Sequence, residues 1–304
     1  MSLAKKDIIS MRDFSKNEID LILQKAMEME PFAKGRKSRV LEGKILAMLF
    51  YEPSTRTRLS FETAMKRLGG DTIDMVSTEA SSVAKGETLA DTIRVVEGYA
   101  DAILLRHPRE GAARMAADFS SIPVINAGDG AGHHPTQTLL DLYTIKRESK
   151  LKDLSIALVG DLKYGRTVHS LAYALALYGA KIFLVSPEQL KMPESIKNDL
   201  IHLGVDLTEA QALVDVIDQV DVLYITRIQK ERFPDPNEYQ KVAGTYRVTL
   251  DLLKKARDNL IVMHPLPRID EIAPEVDGTK YAKYFKQSFY GIPVRMAILS
   301  LVME

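Results

Sequence analysis

Short apolar runs alternate with longer segments of helical periodicity along most of the chain. The apolar runs lie at residues 45–50, 102–105, 124–126, 156–159, 182–185, 222–226 and 261–263, and each has the length and composition of a buried strand. Helical periodicity is found at residues 55–68, 88–99, 111–119, 136–146, 167–177, 195–203, 211–220 and 293–302. This alternation predicts an α/β protein whose parallel sheets are flanked by helices on both faces.

A chain of 304 residues is long enough for two domains of ordinary size, each with its own core. The long helix predicted near the middle of the chain ends in a charged stretch, residues 146–152, which separates the two halves. We therefore predict one domain formed by residues 1–134 plus 288–304 and a second formed by residues 135–287. The last predicted helix is expected to pack back on the first half.

The composition argues against several classes of function. The 41 Lys and Arg residues balance 41 Asp and Glu residues, so a nucleic-acid binder that relies on a broad basic face is not expected. The chain has no cysteine and only six scattered histidines, so we expect neither a disulfide framework nor a metal site. No apolar run is long enough to cross a membrane and no signal peptide is recognisable, so we expect a cytoplasmic protein.

Polar clusters follow the predicted strands at their carboxyl ends, where ligands bind in open parallel sheets. In the first half these clusters are residues 52–58, 106–108 and 128–137, and in the second half they are residues 160–166, 227–229 and 264–268. Because the clusters stand at matching ends of two sheets, we expect one active site in a cleft between the two domains.

The cluster Ser54-Thr55-Arg56-Thr57-Arg58 stands at the start of the helix predicted for residues 55–68. Backbone N–H groups at a helix start have no intrahelical partner and the helix dipole is positive there, so an anion is attracted. Arginine forks and hydroxyl groups match phosphate oxygens, which predicts a phosphate cradle. Taken alone, the cluster is equally typical of a capped and charged helix start.

The same cluster, together with His134-Pro135-Thr136-Gln137, resembles the carbamoyl-phosphate signature of the aspartate/ornithine carbamoyltransferase superfamily. Further matches in the expected order are residues 85–92, 106–108, 160–167, 226–232 and 264–268. The resemblance implies transfer of a carbamoyl group from carbamoyl phosphate to the amine of L-aspartate, an early step of pyrimidine biosynthesis. It implies a carbamoyl-phosphate-binding first domain, an aspartate-binding second domain, and no metal or organic cofactor.

The resemblance also implies roles for the matched residues. Those expected to bind carbamoyl phosphate are Ser54, Thr55, Arg56, Thr57, Arg106, His134, Gln137, Pro265, Leu266 and Pro267. Within this set the expected catalytic residues are Arg56, Thr57, Arg106 and His134, and His134 is expected to donate a hydrogen bond more than to act as a base. The residues expected to bind aspartate are Lys85, Arg166, Arg227 and Gln229. We also predict a cis peptide bond between Leu266 and Pro267, because a ligand-facing X-Pro bond is a common place for one.

In this superfamily the loop that contains Ser81 and Lys85 reaches the site of the adjacent subunit. The resemblance therefore implies a homotrimer with shared active sites, and it leaves open whether a separate nucleotide-binding regulatory chain is also bound. Arg232 is expected either to be exposed or to pair with Glu52.

Other functions fit parts of the sequence. An ornithine carbamoyltransferase would share the phosphate half, but those enzymes generally carry a His-Cys-Leu-Pro pattern where this chain has His264-Pro265-Leu266-Pro267, and a cationic acceptor is unfavourable beside Arg166 and Arg227. A nucleotide-binding oxidoreductase is disfavoured because the glycine spacing in residues 159–165 departs from G-x-G-x-x-G. A non-catalytic scaffold would be expected to have lost part of the cluster.

Overall fold

The computed structural model describes residues 2–75, 82–130, 132–228 and 246–304. Within these ranges the helices are α1 (Lys16–Ala33), α2 (Thr55–Arg67), α3 (Leu89–Val96), α4 (Ala112–Asp118), α5 (Pro135–Glu148), α6 (Arg166–Ala176), α7 (Glu194–His202), α8 (Leu250–Leu253) and α9 (Tyr284–Met303). The strands are β1 (Ile45–Phe50), β2 (Asp71–Asp74), β3 (Ala102–His107), β4 (Val124–Asp129), β5 (Ser155–Val159), β6 (Lys181–Val185), β7 (Leu207–Ala210), β8 (Val222–Ile225) and β9 (Ile261–Met263). Strand and helix alternate and all paired strands in both sheets are parallel, so the predicted α/β class is confirmed.

The chain divides into two compact units. Unit 1 is Met1–Tyr143 with Phe289–Glu304, and unit 2 is Thr144–Ser288. The chain therefore leaves unit 1 within α5 and returns to it within α9. Inside unit 1 the two chain ends meet, since the Lys5 N–H donates to the Val302 carbonyl oxygen at 3.0 Å. None of the helices in the described ranges is long and apolar enough to cross a membrane.

Unit 1 contains a four-stranded sheet in the order β2-β1-β3-β4. Apolar side chains of β1, β3 and β4 form its buried core with α3 and α4, as in Leu49, Leu105 and Val124. Because β1 leads to β2 on one side and β3 leads to β4 on the other, the direction of the crossovers reverses between β1 and β3. The gap beyond the carboxyl ends of these two strands is where an open parallel sheet binds its ligand.

Unit 2 contains a five-stranded sheet in the order β7-β6-β5-β8-β9. Its core joins apolar side chains of the central strands, such as Val159 and Leu223, to those of the turn around Ile217. Here the direction of the crossovers reverses between β5 and β8. Within the described residues each sheet therefore has a switch point of its own, and such a point is where an open parallel sheet binds a ligand.

The structure contains elements that the apolar runs do not predict. Both β2 and β7 are short, partly exposed edge strands, and their sequences, DTID and LTEA, carry no apolar run. The long helix α1 has a readable start signal, because Ser15 and Glu18 form a reciprocal capping box.

The helix predicted at residues 211–220 is wrong. Only a 3-10 turn, Leu213–Asp215, is formed there, although Val216 and Ile217 are buried in the core of unit 2 as a helical spacing would place them. The residue before the turn is Ala212, whose side chain cannot cap a helix. A longer helix would therefore have to be nucleated without the free energy that a capping hydrogen bond supplies.

The last helix is longer than predicted. It begins at Tyr284 and runs through Pro293.

Candidate active site

The predicted phosphate cradle lies at the switch point of unit 1. Residues 54–57 follow β1 and begin α2, and Arg106 lies in β3, directly opposite Phe50 at the end of β1. The Tyr51 N–H donates to the Arg106 carbonyl oxygen at 2.9 Å, which extends the pairing of β1 and β3 to the start of the cluster. The fold thus brings the cluster and Arg106 to the same edge of one sheet.

The start of α2 differs from the hydroxyl-capped helix starts elsewhere in the chain. Ser15 and Thr88 accept backbone N–H groups at the starts of α1 and α3, whereas Ser54 makes no such bond to α2. The first intrahelical bond of α2 is the long one from the Arg58 N–H to the Ser54 carbonyl oxygen, 3.3 Å. The N–H groups of residues 55–57 therefore precede the hydrogen-bonded ladder and are available to an anion.

The two arginines of the cluster have different surroundings. Arg58 donates through Nε and Nη2 to Asp74 Oδ2, at 2.9 and 2.6 Å, so its guanidinium is held against β2. The Arg56 guanidinium makes no hydrogen bond or ion pair within the described ranges. Partial desolvation lowers the pKa of Arg56 from its ordinary value, and the side chain remains accessible at the surface of unit 1. Arg56 is therefore the arginine that a phosphate can engage without breaking an existing pair.

Arg106 is held in a fixed orientation by two groups of unit 1. Its Nη2 lies 2.6 Å from Glu52 Oε1, and its Nη1 donates to the Ala127 carbonyl oxygen at 3.0 Å. The prediction that strand β3 ends at residue 105 is wrong, because the strand continues to His107. Arg106 consequently projects from a strand and not from a loop, and a side chain on a strand is more precisely held.

The segment before His134 is organised by a buried carboxylate. Asp129 Oδ1 accepts the Asn126 Nδ2–H at 2.9 Å and the His133 N–H at 3.1 Å, while Asp129 Oδ2 accepts the Gly111 N–H at 2.9 Å. Strand β4 extends to Asp129, three residues beyond its predicted end. This network fixes the chain that leads into α5, where His134 is buried with Nδ1 3.4 Å from Thr136 Oγ1.

Gln137, in the first turn of α5, is held by a second buried carboxylate. Its Nε2–H donates to Asp141 Oδ1 at 2.9 Å, and Asp141 is fully buried. With the amide nitrogen engaged in this way, the carbonyl oxygen of Gln137 is the end that can accept a hydrogen bond from a ligand. The sequence does not predict this role of Asp141, although a Gln and an Asp four residues apart on a helix are a readable pair.

Arg166 and Arg227 lie at the switch point of unit 2. Arg166 is the first residue of α6 and follows the loop after β5, and Arg227 stands two residues beyond the end of β8. The two strands are paired through Val159 and Ile225, at their carboxyl ends. Both arginines are half-buried, so the fold supplies two cations at the ligand-binding edge of this sheet.

A close approach of backbone segments fixes this edge. Gly160 has φ of 108°, and a Cβ atom there would lie 2.4 Å from the Thr226 carbonyl oxygen, so only glycine fits. A Cβ atom at Gly165, just before Arg166, would lie 2.5 Å from the Asp161 carbonyl oxygen. The two glycines allow the loop between β5 and α6 to fold tightly onto the end of β8.

The loop after β9 is arranged around His264. The Leu266 N–H donates to His264 Nδ1 at 2.8 Å, so Nδ1 is an acceptor and Nε2 carries the proton that it donates to Glu271 Oε1 at 2.7 Å. Leu266 has φ of 59°, and the Leu266–Pro267 bond is cis, which confirms the predicted isomer. The backbone of this loop is thus held by a buried histidine and carboxylate.

Glu271 carries an unusually stable charge. Burial raises its pKa, but the hydrogen bonds from His264 and from the backbone N–H of Ile269 lower the pKa by more than burial raises it. The pKa of Glu271 therefore falls to about 2. Glu271 Oε2 also accepts the Asp270 N–H at 3.0 Å.

Some predicted site residues do not belong to either switch point or lie outside the described ranges. Lys85 ends the 3-10 turn Ser82–Lys85 of unit 1 and is exposed. Ser81, Gln229 and Arg232 lie outside the described residues. In the described part of the chain, no group of three or more His, Asp or Glu side chains is arranged to hold a metal ion.

Both halves of the chain match models of one protein family. Residues 6–147 match the carbamoyl-P binding domain of aspartate/ornithine carbamoyltransferase, and residues 152–302 match its Asp/Orn binding domain. The chain therefore belongs to the aspartate/ornithine carbamoyltransferase family, a class of group-transfer enzymes.

Individual relatives are similar over the whole chain. The aspartate carbamoyltransferase catalytic subunit of Methanothrix thermoacetophila is 67% identical over 302 residues, which cover 99% of each chain. Among solved structures, the catalytic subunit of M. jannaschii aspartate transcarbamoylase has a TM-score of 0.91 and 59% identity, covering 97% of both chains. The Trypanosoma cruzi aspartate transcarbamoylase in complex with carbamoyl phosphate and aspartate has a TM-score of 0.94 and 43% identity, covering 99% of this chain and 97% of that one.

Proposed function

We propose that this enzyme transfers the carbamoyl group of carbamoyl phosphate to the amine of L-aspartate. A bond forms between the amine nitrogen and the carbamoyl carbon, the bond from that carbon to the phosphate oxygen breaks, and phosphate leaves. The amine loses a proton in the process, and the departing phosphate, which is basic, takes it up. The observation that carries the proposal is the pair Arg166 and Arg227 at the switch point of unit 2, because two guanidinium groups match an amino acid with two carboxylates.

The phosphate half of the reaction belongs to unit 1. The leaving phosphate is a multiply charged anion, so preorganised positive groups around it lower the barrier. The N–H groups at the start of α2, the hydroxyls of Ser54, Thr55 and Thr57, and the guanidiniums of Arg56 and Arg106 supply that environment. Thr57 is buried and Arg106 is held by Glu52, so neither has to be ordered when substrate binds.

The carbamoyl group presents an oxygen that gains negative charge and an NH2 group that only donates. Thr57, Arg106 and His134 donate to the oxygen, which makes His134 an electrophilic group. The NH2 group needs acceptors, and these are the Gln137 side-chain oxygen and the backbone carbonyls of Pro265 and Leu266. The bond from Gln137 to Asp141 supports this assignment, because it leaves the amide oxygen as the free end for a ligand.

The acceptor half belongs to unit 2. Arg166 and Arg227 bind the two carboxylates of aspartate, with Gln229 and Lys85 as further contacts. A bidentate arginine–carboxylate pair fixes orientation as well as charge, and this holds the amine in line with the carbamoyl carbon. Ornithine has a cationic side chain in place of the second carboxylate, so the same pair of arginines repels it.

The assembly is proposed to be a cytoplasmic homotrimer in which Ser81 and Lys85 of one chain complete the site of the next. The M. thermoacetophila relative is named a catalytic subunit, which supports a separate regulatory chain as an additional partner for this chain. Residues 1–134 plus 288–304 are proposed to bind carbamoyl phosphate, and residues 135–287 to bind aspartate.

An assay of phosphate release from carbamoyl phosphate tests the function directly. Aspartate and ornithine are compared side by side, and rapid phosphate release with aspartate alone is expected. Equal or greater release with ornithine would overturn the proposal. In a second arm, Arg227→Ala is expected to raise the KM for aspartate far more than the KM for carbamoyl phosphate, and an equal rise in both would contradict the division of the substrates between the units.

A further inference from the structure

Arg295 is a buried cation that the reaction described above does not use. It lies in α9 within unit 1, and only 4% of the residue is exposed. Its Nη1 donates to Ser60 Oγ at 2.6 Å, and its guanidinium carbon lies 5.0 Å from the centre of the Phe61 ring. Both partners belong to α2, the helix whose first turn forms the phosphate cradle.

The charge at this position is not explained by packing alone. Removing a guanidinium from water carries a desolvation penalty, and a hydrophobic side chain of similar volume is often as stable or more stable. Within the described ranges, Arg295 Nε has no hydrogen-bond partner, so the penalty is only partly offset. Burial lowers the pKa of Arg295 to about 10 while nearby Asp141 opposes that shift, and the side chain stays charged at neutral pH.

Ser60 connects this cation to the backbone of the cradle. Its Oγ lies 2.5 Å from the Arg56 carbonyl oxygen and 3.0 Å from the Thr57 carbonyl oxygen. The Ser60 hydroxyl accepts an N–H from Arg295, so its single hydrogen points toward these carbonyl oxygens. All the bonds therefore donate in the same direction, from Arg295 through Ser60 to the backbone. The Arg56 carbonyl shares a peptide unit with the Thr57 N–H, so polarising the oxygen makes that N–H a better donor to an anion.

Asp141 connects the same cation to the other helix of the site. Its carboxylate attracts the Arg295 guanidinium and accepts the Gln137 Nε2–H at 2.9 Å. Because Asp141 accepts the Gln137 Nε2–H, its carboxylate fixes the orientation of the Gln137 amide, and a cation nearby favours that arrangement. Arg295 is therefore bonded to Ser60 and electrostatically coupled to Asp141, two groups that support the opposite ends of carbamoyl phosphate.

We propose that Arg295 is a positioning residue for the carbamoyl-phosphate half of the site. It acts through Ser60 on the first turn of α2 and through Asp141 on the amide of Gln137. The inference rests on the proposed function, since it assigns these two helices to one substrate.

The test compares wild-type enzyme with Arg295→Met, Ser60→Ala and the double variant. Methionine keeps an unbranched side chain in the same space without the charge. Lys286→Met is the matched control, because Lys286 lies on the same helix but belongs to unit 2, is exposed and pairs with Glu148 at 3.2 Å. The measurements are the Kd for carbamoyl phosphate by calorimetry, the KM for each substrate, and hydrogen exchange of the N–H groups of residues 55–58.

Arg295→Met is expected to weaken carbamoyl-phosphate binding by about tenfold, as for the loss of a charged hydrogen bond, and to speed exchange of the α2 start. The KM for aspartate, measured with carbamoyl phosphate in excess, is expected to change by less than about twofold, a split that a general loss of stability would not produce. The double variant is expected to be no weaker than Arg295→Met, because one residue acts through the other. Lys286→Met is expected to behave as wild type.

Wild-type affinity and exchange in Arg295→Met would overturn the inference, as would equal losses for both substrates or additive effects in the double variant. If Arg295→Met does not fold, Ser60→Ala decides the matter, and wild-type values in that variant would equally overturn it. If the wild-type enzyme itself does not bind carbamoyl phosphate, the proposed function fails. The exchange measurement then still shows whether Arg295 holds the start of α2.

Discussion

The Thr226 hydroxyl donates a 2.8 Å hydrogen bond to the carbonyl oxygen of Val159, and so joins the ends of the neighbouring strands β5 and β8 in unit 2. The Thr226 hydroxyl oxygen in turn accepts the Asp161 N–H at 3.2 Å. Thr226 directly precedes Arg227, and Asp161 belongs to the loop that leads to Arg166. One buried hydroxyl therefore fixes the backbone on which both candidate aspartate-binding arginines stand.

Thr226→Val removes this hydroxyl while keeping the shape of the side chain. The Asp161 N–H would lose its partner in a buried position, and we expect the KM for aspartate to rise by about tenfold from the resulting shift of the loop. The KM for carbamoyl phosphate is expected to stay near its wild-type value. Steady-state kinetics with each substrate varied in turn checks both expectations.

Thr279→Val is a suitable control for that variant. Thr279 lies in the same unit, is half-buried and donates its hydroxyl to the Val276 carbonyl oxygen at 2.8 Å, but it is remote in sequence from both arginines. We expect wild-type kinetics from it. If Thr279→Val and Thr226→Val changed the two KM values alike, the hydroxyl of Thr226 would have no specific role at the site.

The buried strands were predictable, whether they lie in the middle of a sheet or at its edge. Strands such as β1 and β9 read as continuous apolar runs, and the structure places them at the predicted residues. The edge strands β2 and β7 are different, since they are partly exposed and their side chains need not be apolar. Apolar content alone therefore predicts the buried strands, including the edge strand β9, and misses the exposed ones.

The residue types of the candidate site can be predicted from the sequence, but the contacts that hold those residues in place cannot. Arg56 and His134 belong to contiguous motifs, so their neighbours along the chain reveal them. Asp141, Thr226 and Arg295 bond to candidate site residues or to the segments that carry them, through contacts that join segments distant in sequence or successive turns of a helix. Such pairings depend on strand order and helix packing, which the sequence of one chain does not display.

Arg56→Ala is expected to reduce kcat by about 100- to 1,000-fold, corresponding to ~3–4 kcal/mol of lost transition-state stabilisation. The reason is that the Arg56 guanidinium has no hydrogen-bond partner of its own within the described ranges and can direct its donors at the leaving phosphate. Arg58→Ala is expected to have a much smaller effect, because Arg58 is held by Asp74 at 2.6 Å. Initial rates of phosphate release measure both variants.

Lys66→Ala controls for the loss of a positive charge from α2. Lys66 is exposed near the end of the helix and pairs with Glu62 at 2.7 Å, so we expect little change in kcat. Near-normal turnover in Arg56→Ala would remove Arg56 from the catalytic residues. A loss in Lys66→Ala as large as that in Arg56→Ala would point to a general effect of charge.

Subunit mixing tests whether active sites are shared between chains. In the proposed homotrimer, an Arg56→Ala chain or a Lys85→Ala chain alone is expected to disable every site of its own assembly. In a mixed trimer, a site that takes Arg56 from one chain and Lys85 from the neighbour can be intact, so activity is expected to reappear. Exchange of subunits is verified by mass spectrometry of the mixed trimers, and a mixture that exchanges without gaining activity would argue against shared sites.

The pair formed by Glu271 and His264 predicts how stability depends on pH. The pKa of Glu271 falls from an ordinary 4.5 to about 2, because hydrogen bonds to its charged form outweigh the effect of burial. A folded-state pKa below the unfolded value stabilises the protein above pH 4.5, and this stabilisation is lost as pH falls from about 4.5 toward 2. The integrated contribution is about 2 kcal/mol between pH 6 and pH 3.

Urea unfolding of wild type and Glu271→Gln across this range measures that contribution. Wild type is expected to lose about 2 kcal/mol more than Glu271→Gln on going from pH 6 to pH 3, since the amide cannot titrate. Asp258→Asn is the control, because Asp258 is exposed and its pair with Lys280, at 2.7 Å, is screened by solvent. Its pH profile should follow that of wild type. Parallel profiles for wild type and Glu271→Gln would show that the buried pair does not hold the loop that carries Pro265 and Leu266.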